Sequence, residues 1–141
     1  NTEIAFSLNP QNIISKYEKG TAPLKTRISA INTLLEKGYK VWLRFLPLLP
    51  VNNYEIHYQE FLEEIKKEIN ISKINSIFIA SLIYNQWDFK LMQKKNPNSD
   101  LWNLVHPTDK GLIKIPDTCF KNFISIFQEA FPQQKIYSDF S

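Results

Sequence analysis

The stretch from Phe6 to Pro50 limits the fold more than any other. It reads as a strand, a short helical turn, a Gly-Thr turn, a long helix and a second strand ending at Pro47. Strands joined by a helical crossover of this length pair in parallel, so the unit belongs to an α/β protein. In the first strand, Glu3–Leu8, alternation puts Ile4, Phe6 and Leu8 on one face and Glu3, Ala5 and Ser7 on the other. The apolar face should pack on helices, and the small, polar face should look into a barrel or cleft. Pro10 opens a helical turn through Tyr17, since proline is tolerated at the first helical position. Thr21 is the expected N-cap of a helix from about Pro23 to Lys37 that buries Ile28, Ile31, Leu34 and Leu35. Gly38 ends that helix. The second strand, Tyr39–Leu46, sets Tyr39, Val41, Leu43 and Phe45 on one face and Lys40, Trp42, Arg44 and Leu46 on the other. Arg44, inside an otherwise apolar strand, must be paired or serve a ligand. Ligands in such folds bind outside the carboxyl ends of the strands, which puts the expected site at Ser7-Leu8-Asn9-Pro10.

The alternation of strand and helix continues. A loop over residues 47–53 leads to the helix Tyr54–Ile69, with Tyr58, Phe61, Leu62, Ile65 and Ile69 as its buried stripe. Glu63 and Lys67 form an i,i+4 pair on its solvated face. Asn75–Tyr84 reads as a third strand, nearly all apolar and so expected to be covered on both faces. Asn85–Asn98 carries Trp87 and Phe89, then turns basic at Lys94-Lys95. Residues 100–115 read as irregular, with a small element at Lys110–Lys114. Asp117–Phe131 is a helix burying Phe120, Phe123, Ile124 and Phe127, stopped by Pro132. Lys135–Phe140 is a final strand. The order argues for one domain over residues 1–141, with a parallel sheet and right-handed crossovers. Three successive units make about half of a (β/α) barrel.

Composition narrows the chemistry. Apolar residues make up 43% of the 141, enough for a real core rather than a disordered chain. A net charge of +3 describes a slightly basic globule and argues only weakly for a phosphate-bearing partner. Cys119 is the sole cysteine, so the chain can form no internal disulfide and hold no iron–sulfur cluster alone. That usage suits a reducing cytoplasm. No run of about 18 apolar residues predicts a membrane span. His57 has no second histidine near it in sequence, and no metal site is expected. Glycine-rich phosphate loops, G-x-S-x-G and H-E-x-x-H are all missing. Cys119 with His106 reads better as a small packed residue than as a thiol nucleophile. The chain enters a strand almost at once and does not begin with Met, which suggests a part of something longer.

Phe6-Ser7-Leu8-Asn9, Glu18-Lys19-Gly20-Thr21, Arg27, Gly38-Tyr39 and Pro47 form one ungapped pattern over residues 6–50. The pattern resembles the spore photoproduct lyase family of radical SAM proteins. The helix Tyr54–Ile69 and the ending Phe131-Pro132…Lys135-Ile136-Tyr137 fit the same family more loosely. The resemblance implies the C-terminal half of a partial (β/α)6 TIM-like barrel, an α/β fold of parallel strands with flanking helices. In that barrel a 4Fe-4S cluster reductively cleaves S-adenosylmethionine (SAM) to a 5′-deoxyadenosyl radical. Ser7 then corresponds to a strand-end hydroxyl that contacts SAM, and Leu46 falls near the adenine, where the family packs small residues. Asn9, Glu18 and Arg27 match positions that support the same loop. An ion pair between Glu18 and Arg27 is an equal reading. The cluster-binding C-x3-C-x2-C motif and the H-atom-donor cysteine belong to the N-terminal half-barrel, here a missing segment or a partner chain.

Arg44 would face substrate or the SAM carboxylate. Lys110 and Lys114 stand where the lyases carry a basic, aromatic hairpin that wedges into DNA. The third strand departs from the family: Leu82-Ile83-Tyr84-Asn85 replaces a polar Q-H-R-F-T run. The expectation is a cytoplasmic, lyase-like radical SAM enzyme part, with DNA as candidate substrate, inactive without its cluster-binding half. A reading of another class is a non-catalytic half-barrel that serves binding or assembly, from a split or truncated gene. A third is general nucleic-acid binding through Lys94, Lys95, Lys110 and Lys114 with Trp87 and Trp102.

Overall fold

A computed structural model describes residues 2–139. The alternating first segment forms β1 (Glu3–Leu8) as expected, followed by α1 (Gln11–Tyr17) and α2 (Leu24–Glu36). Thr21 does not cap α2. Pro23 holds the cap position, and the Gln11 side-chain oxygen accepts from the Leu24 amide at 2.7 Å. A residue from the preceding helix thus satisfies an amide that a local hydroxyl was expected to serve. The C-terminal end follows local rules. Gly38 adopts φ 83°, its N–H donates to Leu35 C=O and the Tyr39 N–H donates to Leu34 C=O, both at 3.1 Å.

β2 (Lys40–Leu48) begins one residue later and ends two residues later than its alternation predicts. Tyr39 lies outside the strand and is 46% exposed. Pro47 and Leu48 stay in the strand, with Leu48 opposite Ser81 after a register shift beyond Phe45. α3 (Tyr54–Glu68) buries its expected stripe, but Glu63 pairs with Lys66 at 3.3 Å rather than with Lys67. The expected third strand divides. β3 (Ser76–Ser81) joins the parallel sheet, whereas β4 (Ile83–Asn85) turns away into a second sheet.

Asn85 then caps α4 (Gln86–Lys95), its side-chain oxygen accepting from the Asp88 amide at 2.8 Å. Residues 100–115 are not irregular. They form a 3-10 helix at Asp100–Leu104 and two short strands, β5 (His106–Pro107) and β6 (Leu112–Lys114). The small sheet is antiparallel, in the order β4-β6-β5. α5 (Asp117–Ala130) and β7 (Ile136–Ser138) complete the chain. Phe140, assigned above to the last strand, lies outside the described residues.

The main sheet runs β1-β2-β3-β7 with every neighbour parallel. This is the expected α/β unit of parallel strands with flanking helices. One face is sealed. Val41, Leu43, Phe45, Ile77 and Ile79 are cut off from solvent beneath Ile31 of α2, Tyr58 and Leu62 of α3, and Phe123 and Phe127 of α5. Leu34 and Ile124, expected inside, are only half-buried, and Ile126 takes the inner position on α5. The Phe45 ring sits among three others, with centroids 4.9 Å from Phe127, 5.9 Å from Phe61 and 6.2 Å from Phe131. The second face is open. β3 was expected to be covered on both sides, yet Phe78 and Ala80 remain half-exposed.

The segment between β3 and α5 is an insertion at the carboxyl side of the sheet, in which α4 packs on β4 and β6. It is tied back to α1 at Asp100. The Tyr17 hydroxyl donates to Asp100 Oδ1 at 2.7 Å, and Lys16 Nζ pairs with Asp100 Oδ2. The hydrogen bonds from Lys16 and Tyr17 hold the Asp100 carboxyl below its usual range.

Two outcomes follow from this packing. Phe45→Ala should cost about 3–5 kcal/mol in urea unfolding, because three aromatic neighbours cannot all collapse into the cavity. The Asp100 tie should persist above the ordinary carboxylate range and be lost as pH falls through the depressed folded-state value. Hydrogen exchange of residues 100–104 should therefore accelerate in acid beyond its intrinsic pH dependence. In Asp100→Asn that extra acid sensitivity should disappear.

Candidate strand-end site

The carboxyl end of β1 is held by one web of side chains. Asn9 is fully buried. Its Nδ2 donates to Glu18 Oε2 at 3.0 Å and to the Leu46 carbonyl at 2.9 Å, joining β1 to the turn after α1 and to β2. Arg27, reaching down from α2, donates to four oxygens: Ala22 C=O at 2.8 Å, Ser7 C=O at 3.0 Å, Thr21 Oγ1 at 2.9 Å and Glu18 Oε1 at 3.1 Å. The Glu18–Arg27 ion pair weighed from the sequence is present, and the Arg27 side chain is 11% exposed. Thr21 also donates to Glu18 C=O at 2.6 Å, which is its role in place of capping α2. Tyr58 closes the floor. Its hydroxyl accepts from the Leu49 amide at 3.2 Å, and burial first, with the Glu18 charge a lesser cause, pushes its ionisation far above the ordinary phenol range.

The web leaves the open face free for a ligand. Pairing register places Ser7, Arg44, Phe78 and Tyr137 in a single row across β1, β2, β3 and β7. Ser7 is exposed, with its carbonyl held by Arg27 and its hydroxyl side on the open face. Arg44 makes no ion pair among the described residues. Its guanidinium lies 5.5 Å from the Phe78 ring centroid, a cation–π contact that leaves its donors available. Trp42 stacks on Tyr137 at 5.7 Å with the planes 20° apart, a pairing the sequence did not suggest. A cavity of about 360 Å³ on this face is lined by Glu3, Ile4, Ala5, Trp42, Arg44 and Phe78. It lies toward the amino halves of the strands and takes in Arg44 and Phe78 of that row.

Three buried side-chain polar atoms lack a partner among the described residues: Asn9 Oδ1, Trp42 Nε1 and Ser81 Oγ. Trp42 belongs to the open face, whereas Asn9 and Ser81 sit at the carboxyl ends of their strands. An unsatisfied buried polar atom costs roughly 1–3 kcal/mol, so such atoms mark where an outside group is accommodated. Asn9 Oδ1 accepts, and SAM carries amino donors, so the strand end fits that ligand. The cluster does not fit this chain. Cys119, its sole cysteine, is half-buried against the core, and no group of His, Cys, Asp and Glu able to hold a metal occurs among the described residues.

Of the remaining expected residues, Leu46 belongs to the web and the two lysines lie apart from it. Leu46 contributes its carbonyl to Asn9 and is half-buried. Lys110 is exposed in the turn between β5 and β6, where Thr108 N–H donates to Leu112 C=O at 2.8 Å. Lys114, on β6, pairs with Asp117 at 2.9 Å. Among the described residues, no helix is long and apolar enough to cross a membrane.

Arg27→Lys tests the web. One ammonium cannot reach four separated oxygens that a planar guanidinium joins. The substitution should cost roughly 1.5–3 kcal/mol in urea unfolding, the value of a hydrogen bond to a charged group.

The family profile described as spore photoproduct lyase matches residues 1–104. The spore photoproduct lyase of Clostridium acetobutylicum is 27% identical over 100 residues, which are 71% of this chain and 30% of that protein. Among solved structures, a spore photoproduct lyase mutant with dinucleoside spore photoproduct superposes with a TM-score of 0.77 at 16% identity, covering 96% of this chain and 44% of that one. Another mutant, with bound AdoMet and dinucleoside spore photoproduct, gives 0.74 at 16% identity over 96% and 43%. The chain thus spans less than half the length of these relatives and shares the fold of part of their barrel. With its profile match spanning most of its length, the chain belongs to the spore photoproduct lyase family.

Proposed function

We propose that this chain is the SAM-holding part of a lyase-like radical SAM enzyme that acts on DNA, working with a cluster-binding half-barrel. The observation that carries the reading is the open row of Ser7, Arg44, Phe78 and Tyr137 across the sheet, with the unpartnered Asn9 oxygen just past the end of β1. Family membership supports it, as do the AdoMet and dinucleoside photoproduct bound by the structural relatives.

When bound, SAM together with a cluster held by the other half-barrel would supply the radical chemistry. The chain's own residues bind and orient. Ser7 Oγ contacts SAM from the end of β1, and Asn9 Oδ1 accepts one of its N–H groups. Glu18 and Arg27 hold Asn9 and the Ser7 carbonyl still, so the strand end is ordered before the ligand arrives. Leu46, its carbonyl fixed by Asn9, bounds the adenine side. Arg44 offers its free donors to an anionic group, a DNA phosphate or the SAM carboxylate. Lys110 meets the DNA backbone from the hairpin turn, and Lys114 positions that hairpin through Asp117. The second half-barrel supplies the cluster thiolates, covers Trp42, Phe78 and Tyr137, and keeps water from the reaction. A cytoplasmic location follows from such chemistry, which needs reduced thiolates.

The test joins this chain to a half-barrel carrying C-x3-C-x2-C, with iron and sulfide under anaerobic conditions. The intact assembly should produce 5′-deoxyadenosine. Ser7→Ala should weaken SAM binding about tenfold in calorimetry, or ~1.4 kcal/mol. No 5′-deoxyadenosine, together with unchanged SAM affinity in the variant, would remove the assignment.

A further inference from the structure

α4 has two faces with different partners. Phe89 points inward, its ring 5.4 Å from Trp102 and 6.1 Å from Tyr84. The opposite stripe is exposed. Trp87, Lys90, Leu91 and Lys94 follow at i, i+3, i+4 and i+7, so they share one side of the helix, with Lys95 beside them. Trp87 is 74% exposed and Leu91 45%. Lys90, Lys94 and Lys95 make no ion pair among the described residues. The one acid on the helix, Asp88, is occupied at its start by Asn85 Nδ2 at 2.9 Å.

The structure also divides the basic and aromatic set that the sequence grouped together. Trp102 is taken into the insertion, its Nε1 donating to Asn96 C=O at 2.8 Å, and Lys114 is committed to Asp117. What remains is Lys110 in its turn and, together on one surface, the α4 stripe.

We propose that this stripe grips the backbone of a nucleic acid outside the reacting site. The three lysines neutralise successive phosphates, and Trp87 is a platform for an unpaired base. The inference rests on the DNA reading above and adds to it a contact surface on α4. Charge and shape favour this occupant. A ten-residue helix with two exposed apolar side chains buries too little to hold a bilayer surface. A second copy would set three lysines against three lysines. Phosphates need cations, and base stacking needs one exposed aromatic face.

The measurement is fluorescence anisotropy of the full protein with single-stranded and duplex oligonucleotides over a salt series, with tryptophan emission followed in parallel. Replacing Lys90, Lys94 and Lys95 together by Gln should lower affinity at least tenfold at low salt. It should also flatten the slope of log K against log salt by about 2, from three fewer phosphate contacts. Trp87→Ala should weaken single-strand binding by roughly 5- to 150-fold and abolish the emission quench on binding. Both variants lie on an exposed face and should keep the parent's circular dichroism and SAM affinity. Parent-like affinity and salt slope in both variants overturn the inference and leave the DNA reading standing. A parent protein that binds no oligonucleotide at any salt overturns both. Binding of the parent, but not the variants, to phosphatidylserine vesicles with no DNA binding assigns the stripe to a membrane and overturns it as well.

Discussion

A parallel sheet is normally buried on two faces, because its crossover connections cover both. Here helices α2, α3 and α5 seal one face, and Phe45 lies at the centre of that seal among Phe61, Phe127 and Phe131. The opposite face keeps Ser7, Arg44, Trp42, Phe78 and Tyr137 in reach of solvent. The ligand contacts proposed for Ser7 and Arg44 depend on this asymmetry. The sealed face makes the strands rigid, and the open face presents side chains at fixed strand spacing. The same asymmetry explains Arg44. Its charge meets no acid among the described residues of the sheet and rests against the Phe78 ring.

The strand end shows how polar groups can be spent on order rather than on chemistry. Arg27 and Glu18 are charged, yet both are consumed by local partners: four oxygens for the one, Arg27 and Asn9 for the other. Their place is to hold the Ser7 carbonyl and the Asn9 amide, while Ser7 stays exposed and Asn9 Oδ1 keeps no partner among the described residues. A loop fixed in this way loses little entropy on binding.

The insertion between β3 and α5 serves as a second body at the carboxyl side of the sheet. Its own small core is aromatic, built from Tyr84, Phe89 and Trp102. It is tied to α1 through Asp100, and it carries both the Lys110 turn and the α4 stripe. Strand ends and insertion thus lie on the same side of the molecule.

By itself the sequence determined the elements whose signals are local. Alternation in Glu3–Leu8, the apolar stripe of Tyr54–Ile69 and the Gly38 stop each depend on neighbours a few residues away, and each was legible. So was the ungapped pattern from Phe6 to Pro47, with its expected residues at one strand end. Tertiary structure decided what depends on distant partners. Gln11 rather than Thr21 meets the Leu24 amide, since the competing acceptor comes from another helix. The apolar run that begins at Ser76 breaks at Leu82 because β6 offers Ile83–Asn85 a different edge. Lys114 and Trp102 looked free and are engaged, whereas Trp87 is exposed and the α4 lysines keep no ion-pair partner among the described residues. A one-dimensional pattern records which side chains share a face. Only the folded chain sets which faces find a partner.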